Sequence, residues 1–287
     1  MIPGSFDYHR PESVDAAVSL LASLGDEARV VAGGHSLIPM MKLRMAVPEH
    51  LVDLQDIADL KGISIDDGTI TIGAMTTQAE LIASEELAAT CPIIRETSLL
   101  IADPQVRNVG TIGGNVANGD PGNDMPALMQ AMNAAYIVQN SAGRREVAAR
   151  EFYEAAFFTA LEDGEILTAV QFAVPASGHG HAYEKQKRKI GDYATAAAAV
   201  LLTMNGGTCA TASIALTNVA NTPLYAEDAS AAIIGTSLDS AALDAAVAAA
   251  KAITDPAEDG RGPVEFRTHV AGVMVRRAIE KAAARAS

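Results

Sequence analysis

Two glycine pairs sit among the residues of this sequence best suited to chemistry: Ala32-Gly33-Gly34-His35-Ser36 and Thr111-Ile112-Gly113-Gly114-Asn115. Glycine has no Cβ, so its backbone N–H groups approach an anion closely and its φ turns positive at little cost. Ser36 and Asn115 follow the pairs and add side-chain hydrogen-bonding groups. Taken singly, each pair reads as a turn. Together they point to one ligand with two phosphates, gripped from two places in the chain. Asp124 fits such a ligand as a partner for its hydroxyls, and a basic strand-like run, Lys185-Gln186-Lys187-Arg188-Lys189, fits its charge. Alone, that run reads as a solvated face. No residue stands out as nucleophile or general base, so the ligand itself must carry the chemistry, as a flavin does.

Other solutions are absent from the sequence. No G-x-G-x-x-G follows the first strand, no Walker A loop is present, and no G-x-S-x-G elbow occurs. His179-Gly180-His181 has the spacing of metal ligands, but no third ligand cluster accompanies it, and an ordinary loop is the better reading. Only Cys91 and Cys209 are present, too few for an iron–sulfur cluster or a disulfide framework, and they read as core thiols.

These groups need elements to hold them. Ser13 is placed to cap a helix over 14–24 that breaks at Gly25, followed by a short buried strand at Val30-Val31 that delivers the first glycine pair. A short helix over 37–44 and a strand over 50–54 come next. The alternation at 63–65 and 69–72 around Asp67-Gly68 predicts a hairpin. Thr77 starts a helical pattern through Leu87, and Pro92 to Leu100 predicts another helix. The second glycine pair falls in a loop-rich stretch, 101–124, that leads to a helix with Asp124 as cap and Pro126 near its first turn. Strands are expected at 135–138, 166–170, 194–204 and 211–216, and helices at 243–253 and 270–284. Pro175-Ala176-Ser177-Gly178 is the linker candidate.

At 287 residues the chain can bury a substantial core as two or three units. Its formal charge of −14 disfavours nucleic-acid binding, and the absence of tryptophan weakens a base-stacking platform. No long apolar run predicts a membrane span, and the N-terminus lacks a basic segment leading into an apolar one, which makes the cytoplasm the expected location.

The two glycine motifs, together with Ile101-Ala102-Asp103-Pro104-Gln105-Val106-Arg107 and Lys189-Ile190-Gly191-Asp192-Tyr193, resemble the FAD-binding subunits of molybdenum hydroxylases, and the resemblance runs from Phe6 to the C-terminal helix. Within that family, the runs from Gly119 to Gln130 and from Leu216 to Pro223 are most similar to the carbon monoxide-oxidising branch; other branches act on N-heterocycles or aldehydes. A flavin-free assembly subunit is the contrasting reading, against which the intact glycine motifs and Asp124 stand.

The resemblance implies an α+β, vanillyl-alcohol-oxidase-like (PCMH-type) fold: FAD-binding subdomains at 1–55 and 56–176, then an α/β domain at 177–287. It implies contacts to noncovalent FAD from Ala32, Gly33, Gly34, His35 and Ser36, and from Thr111, Ile112, Gly113, Gly114 and Asn115. Ile101 and Leu167 would pack beside the cofactor, Asp124 would bind one of its hydroxyls, and Lys185 and Tyr193 would reach it from the third segment. Tyr193 would cover the isoalloxazine ring. It further implies a large molybdopterin subunit and a small subunit with 2Fe–2S clusters as partners, in a dimer of heterotrimers. Electrons would leave to an acceptor such as a quinone, with peripheral association at the inner face of the cytoplasmic membrane.

Overall fold

The structure, a computed structural model, describes residues 2–287. Strand β1 (Asp7–His9) leads into helix α1 (Val14–Leu24), β2 (Ala28–Val31), α2 (Leu37–Lys42) and β3 (His50–Asp53). The first helix starts where Ser13 places it: Ser13 Oγ accepts from the Ala16 N–H at 3.1 Å, and Gly25, at φ 56°, ends it. Ala17, Val18 and Leu21 are its buried face, in a core shared with Ala28 and Val52 of a parallel sheet of order β1-β3-β2. The first glycine pair begins at the carboxyl end of β2.

β4 (Ile63–Asp66) and β5 (Thr69–Gly73) form the expected hairpin, turning at Asp67 (φ 47°) and Gly68 (φ 74°). They belong to an antiparallel sheet of order β4-β5-β10-β6-β7, with β6 (Ala135–Asn140), β7 (Gly143–Ala148) and β10 (Ile166–Ala173). β8 (Tyr153–Ala155) and β9 (Phe158–Thr159) pair separately. Six short helices precede β6: α3 (Gln78–Ala83), α4 (Glu85–Thr90), α5 (Pro92–Ser98), α6 (Pro104–Arg107), α7 (Ile112–Ala117) and α8 (Asp124–Ala131). All of them but α6 share one core with the sheet, in which Ile70, Ile94, Ile112, Leu128 and Tyr136 are fully buried.

Four expectations need correction here. The pattern after Thr77 is two helices, broken at Ser84, whose Oγ accepts from the Leu87 N–H at 3.2 Å and starts α4. The second glycine pair is not in a loop: it forms the first turn of α7, capped by Thr111 Oγ1, which accepts from the Gly114 N–H at 3.0 Å. Glycine costs about 1 kcal/mol per residue in a helix, so the pattern argues against one until the cap is weighed. Asp124 does not cap α8; Asn123 occupies that position, and the Asp124 carboxylate turns to Lys185 and Tyr183 instead. The basic run does not stay in one strand, because β11 ends at Gln186.

β11 (Gly180–Gln186), β12 (Ala196–Asn205), β13 (Thr208–Thr217) and β14 (Leu224–Tyr225) form an antiparallel sheet, followed by α9 (Glu227–Ile233), α10 (Ser240–Ala252) and α11 (Val264–Arg285). Alternation along β12 decides its packing. Ala196, Ala198 and Val200 share a core with Ala246, Val275 and Ala278 of the last helices, whereas Ala197 and Ala199 join the core that contains α8. Both faces of β12 are buried, so its run is continuously apolar, and alanines let both layers come close. β1, β7, β8, β9, β14 and α9 carry no sequence expectation.

Candidate functional site

A cavity of about 1020 Å³ opens between the first glycine motif, α7, the start of α8 and the end of β11. It lies at the upper end of the ~300–1,000 Å³ typical of ligand pockets. Ala32, Gly33, Gly34, His35, Ser36, Ile101, Thr111, Gly114, Asn115, Asp124, Lys185 and Tyr193 all line it. Residues far apart in sequence thus share one wall. Three expected contacts lie off this wall. Ile112 is fully buried in the core, and Gly113 and Leu167 line an adjoining void of about 90 Å³ that shares Ala32 and Gly114 with the cavity.

The first motif has the physical character of an anion cradle. None of the N–H groups of Gly33, Gly34, His35 and Ser36 meets an acceptor among the described residues. Gly33, Gly34 and Ser36 are half-buried and His35 is exposed, so these four successive donors beside a cavity are open to water or to an anionic ligand. Gly34 is at φ 70°, which only glycine adopts cheaply. Gly33 has a different reason to be glycine: a Cβ there would lie 2.3 Å from the Val109 carbonyl oxygen. Its smallness lets this loop dock on the segment that leads into α7.

The second motif uses its backbone donors internally. The Ile112 N–H donates to the Thr76 carbonyl at 2.9 Å and the Gly113 N–H to the Ala74 carbonyl at 2.8 Å. A Cβ on Gly113 would lie 2.5 Å from the Ala74 Cβ, so this glycine seats α7 on the end of the sheet. At Gly114 a Cβ would lie 3.0 Å from Thr111 Oγ1 and 3.4 Å from the Ala32 Cβ, a tight fit against the cap and the first motif. Asn115 accepts from the Met125 N–H at 3.3 Å, and its carbonyl accepts from Asn123 Nδ2 at 2.8 Å, tying α7 to the start of α8.

Asp124 and Lys185 form a buried ion pair at the cavity wall, 2.7 Å between Oδ2 and Nζ, with side chains 5% and 1% exposed. Lys185 also donates to the Leu100 carbonyl at 3.3 Å. The other carboxylate oxygen accepts from the Tyr183 hydroxyl at 2.6 Å, and that hydroxyl is 3.0 Å from Thr217 Oγ1. Burial, then the Asp124 charge, holds the Tyr183 phenol well above the ordinary tyrosine range, so it donates. Tyr183 had no place in the sequence reading, and Thr217 entered it only as a member of the 216–223 run. The signal that finds Tyr183 is the period of two on β11, which puts it on the same face as Lys185.

Tyr193 packs its ring on Gly122, where a Cβ would lie 3.0 Å from Tyr193 Cδ1. Its phenol is pushed up by burial and by Asp120 and Asp124. Gly191, at φ 82°, rests on Ala102, so the 187–193 loop closes over the Ile101 corner. Arg107 fixes that corner by donating to the Ile101 carbonyl at 2.9 Å. On the opposite rim, Glu165 is held by Arg145 through two contacts of 2.7 Å.

No group of three or more His, Cys, Asp or Glu side chains is placed to hold a metal ion among the described residues. His179 Nδ1 instead faces the Ala176 carbonyl at 2.9 Å. Cys91 and Cys209 are buried free thiols, and burial pushes Cys91 up to about 12.

An open run of backbone donors, a long cavity and a buried Asp–Lys pair fit a flavin dinucleotide, and similarity to known proteins agrees. The chain belongs to the FAD-binding subunits of molybdopterin dehydrogenases: residues 4–176 match the family "FAD binding domain in molybdopterin dehydrogenase", and residues 181–282 match "CO dehydrogenase flavoprotein C-terminal domain". It is therefore an oxidoreductase subunit with the PCMH-type fold. It is 68% identical over 286 residues to the carbon monoxide dehydrogenase medium chain of Afipia carboxidovorans, covering 100% of this chain and 99% of that one. Its identity to the corresponding chain of Hydrogenophaga pseudoflava is 48%, with 99% of each covered. The crystal structure of a Cu,Mo-CO dehydrogenase superposes at a TM-score of 0.99 with 68% identity over all of both chains. Quinoline 2-oxidoreductase from Pseudomonas putida 86 superposes at 0.94 with 35% identity, covering 99% of each chain.

Proposed function

We propose that this chain is the FAD-carrying electron-transfer subunit of a carbon monoxide dehydrogenase complex. The full-length 68% identity to a carbon monoxide dehydrogenase medium chain carries the substrate assignment. Bound FAD accepts electrons and passes them on singly or in pairs. The chain's own residues bind and shield it. The N–H groups of residues 33–36 receive the diphosphate, Asp124 and Lys185 hold polar groups further along, and Ile101 and Tyr193 cover the apolar ring. Thr111, Gly114 and Asn115 supply the facing wall, while Ile112, Gly113 and Leu167 support it from behind.

In this reading the units at 1–55 and 56–176 enclose the cofactor and 177–287 closes it. A large molybdenum subunit oxidises the substrate, and a small iron–sulfur subunit delivers the electrons, in a dimer of heterotrimers. The acceptor is a quinone or similar carrier at the cytoplasmic face of the membrane. No helix among the described residues is long and apolar enough to cross a membrane, which fits peripheral association.

The test is the absorbance spectrum of the purified complex. One FAD per copy of this chain, bleached when carbon monoxide is added, is the expected result. Flavin that stays oxidised under carbon monoxide but bleaches with an N-heterocycle or aldehyde would move the complex to another branch. A complex without flavin would overturn the cofactor role.

A further inference from the structure

The geometry points to Tyr183 as a positioning residue that fixes the Asp124 carboxylate toward the cavity, with Thr217 behind it. This rests on Asp124 contacting the cofactor. Tyr183 is 1% exposed and Thr217 fully buried, so neither reaches a ligand directly. Tyr183 donates to Asp124 at 2.6 Å, which leaves its own oxygen as acceptor for the Thr217 hydroxyl at 3.0 Å. A carboxylate offers about four acceptor directions. Here Tyr183 takes one on Oδ1 and Lys185 one on Oδ2. Two contacts on two different oxygens stop rotation of the group and leave the remaining acceptor directions for the cavity that Asp124 lines.

The backbone that carries the phenol is itself anchored. The Tyr183 N–H donates to Glu96 Oε1 at 3.1 Å, and Glu96 is gripped by Lys281 at 3.0 Å and by Arg285 at 2.6 Å. The strand that carries Tyr183 is thus pinned to α5 on one side and α11 on the other. Through this residue the third sheet sets the geometry of a carboxylate that belongs to the second segment. Partners that orient a ligand-holding side chain without touching the ligand typically carry about a 10-fold effect on affinity.

A double-mutant cycle in the FAD-loaded complex tests this, with FAD release followed by the rise in flavin fluorescence at a temperature well below unfolding. Tyr183→Phe removes only the hydroxyl and is expected to speed release about 10-fold. In an Asp124→Ala background the same substitution is expected to change nothing, because its effect runs through the carboxylate. Equal factors in both backgrounds, or no effect in either, would overturn the positioning role. If Asp124→Ala alone leaves release unchanged, Asp124 is not a cofactor contact, and both the reading and the inference built on it fall. Should that variant not fold, Thr217→Val decides: faster release, by roughly 3-fold, supports the chain of hydrogen bonds, and an unchanged rate overturns it.

Discussion

The two glycine motifs share a sequence pattern and do opposite work with their backbones. In the first, four consecutive N–H groups at a cavity wall meet no acceptor among the described residues. In the second, the N–H groups of Ile112 and Gly113 are consumed by Thr76 and Ala74, and Gly113 is small because α7 sits on the backbone of residue 74. The first motif leaves its donors facing the cavity, and the second is a packing joint that brings Gly114 and Asn115 into the wall. The lesson is that a glycine pair announces close approach, but not of what. A phosphate and a neighbouring strand impose the same steric demand.

Substitution separates these roles, and the largest effect is expected in the packing joint. Gly113→Val puts carbon within 2.5 Å of the Ala74 side chain and 2.6 Å of its carbonyl oxygen. Neither can retreat, and a loss of about 3 kcal/mol or more is expected, read as a collapse in soluble yield or urea midpoint. A stable Gly113→Val protein would erase the contrast between the motifs.

Lys185→Met is next. It strands the Asp124 carboxylate without its cation in a nearly dry site, at a cost of about 3 kcal/mol, with weakened FAD retention. If flavin content and thermal midpoint are both unchanged, side-chain charge does not supply the facing wall's grip.

Gly34→Val is milder for the fold and harsher for binding. At φ 70° a side chain costs about 1–2 kcal/mol, and its nearest neighbour is the movable end of Ile38. The expected protein folds but retains roughly tenfold less flavin, a difference of about 1.4 kcal/mol in binding. Full flavin content, measured as the absorbance ratio of flavin to protein, would remove the first motif from the binding role.

The smallest effect is on pH dependence, away from either motif. Burial, then the Arg285 charge, lowers His181 from 6.5 to about 4. Between those values the unfolded chain takes up a proton that the folded chain refuses, so stability is full above 6.5 and declines as pH falls toward 4. Glu96 acts at lower pH. Burial opposes its charge, yet Arg285, the Tyr183 N–H and Lys281 hold its carboxyl below the usual range. Its contribution is present above the ordinary glutamate value and is lost as pH falls through the depressed one. In His181→Asn, urea midpoints should fall less steeply than the parent's as pH drops from 6.5 toward 4; an unchanged slope would place the proton uptake elsewhere.

Much of this was legible in the sequence where local chemistry is strong. Ser13 and Gly25 bound the first helix, Asp67-Gly68 turns the first hairpin, and the first glycine motif lines one cavity with Thr111, Gly114, Asn115, Asp124, Lys185 and Tyr193. Ser84 and Thr111 were misjudged because a cap competes with a longer-range pattern, and the pattern alone cannot say which prevails. Tyr183 was passed over because nothing in its neighbourhood marks a tyrosine on a short strand as facing a carboxylate 59 positions earlier.

By itself, then, the sequence marked where the backbone makes close approaches, through two glycine pairs beside Asp124 and a basic run, and its resemblance to a flavoprotein family supplied the ligand class. Only the tertiary structure decided which backbone donors remain free to meet it. Whether an N–H is available depends on what stands opposite it. For Gly113 that is the carbonyl of Ala74, and for Gly33 to Ser36 it is the cavity.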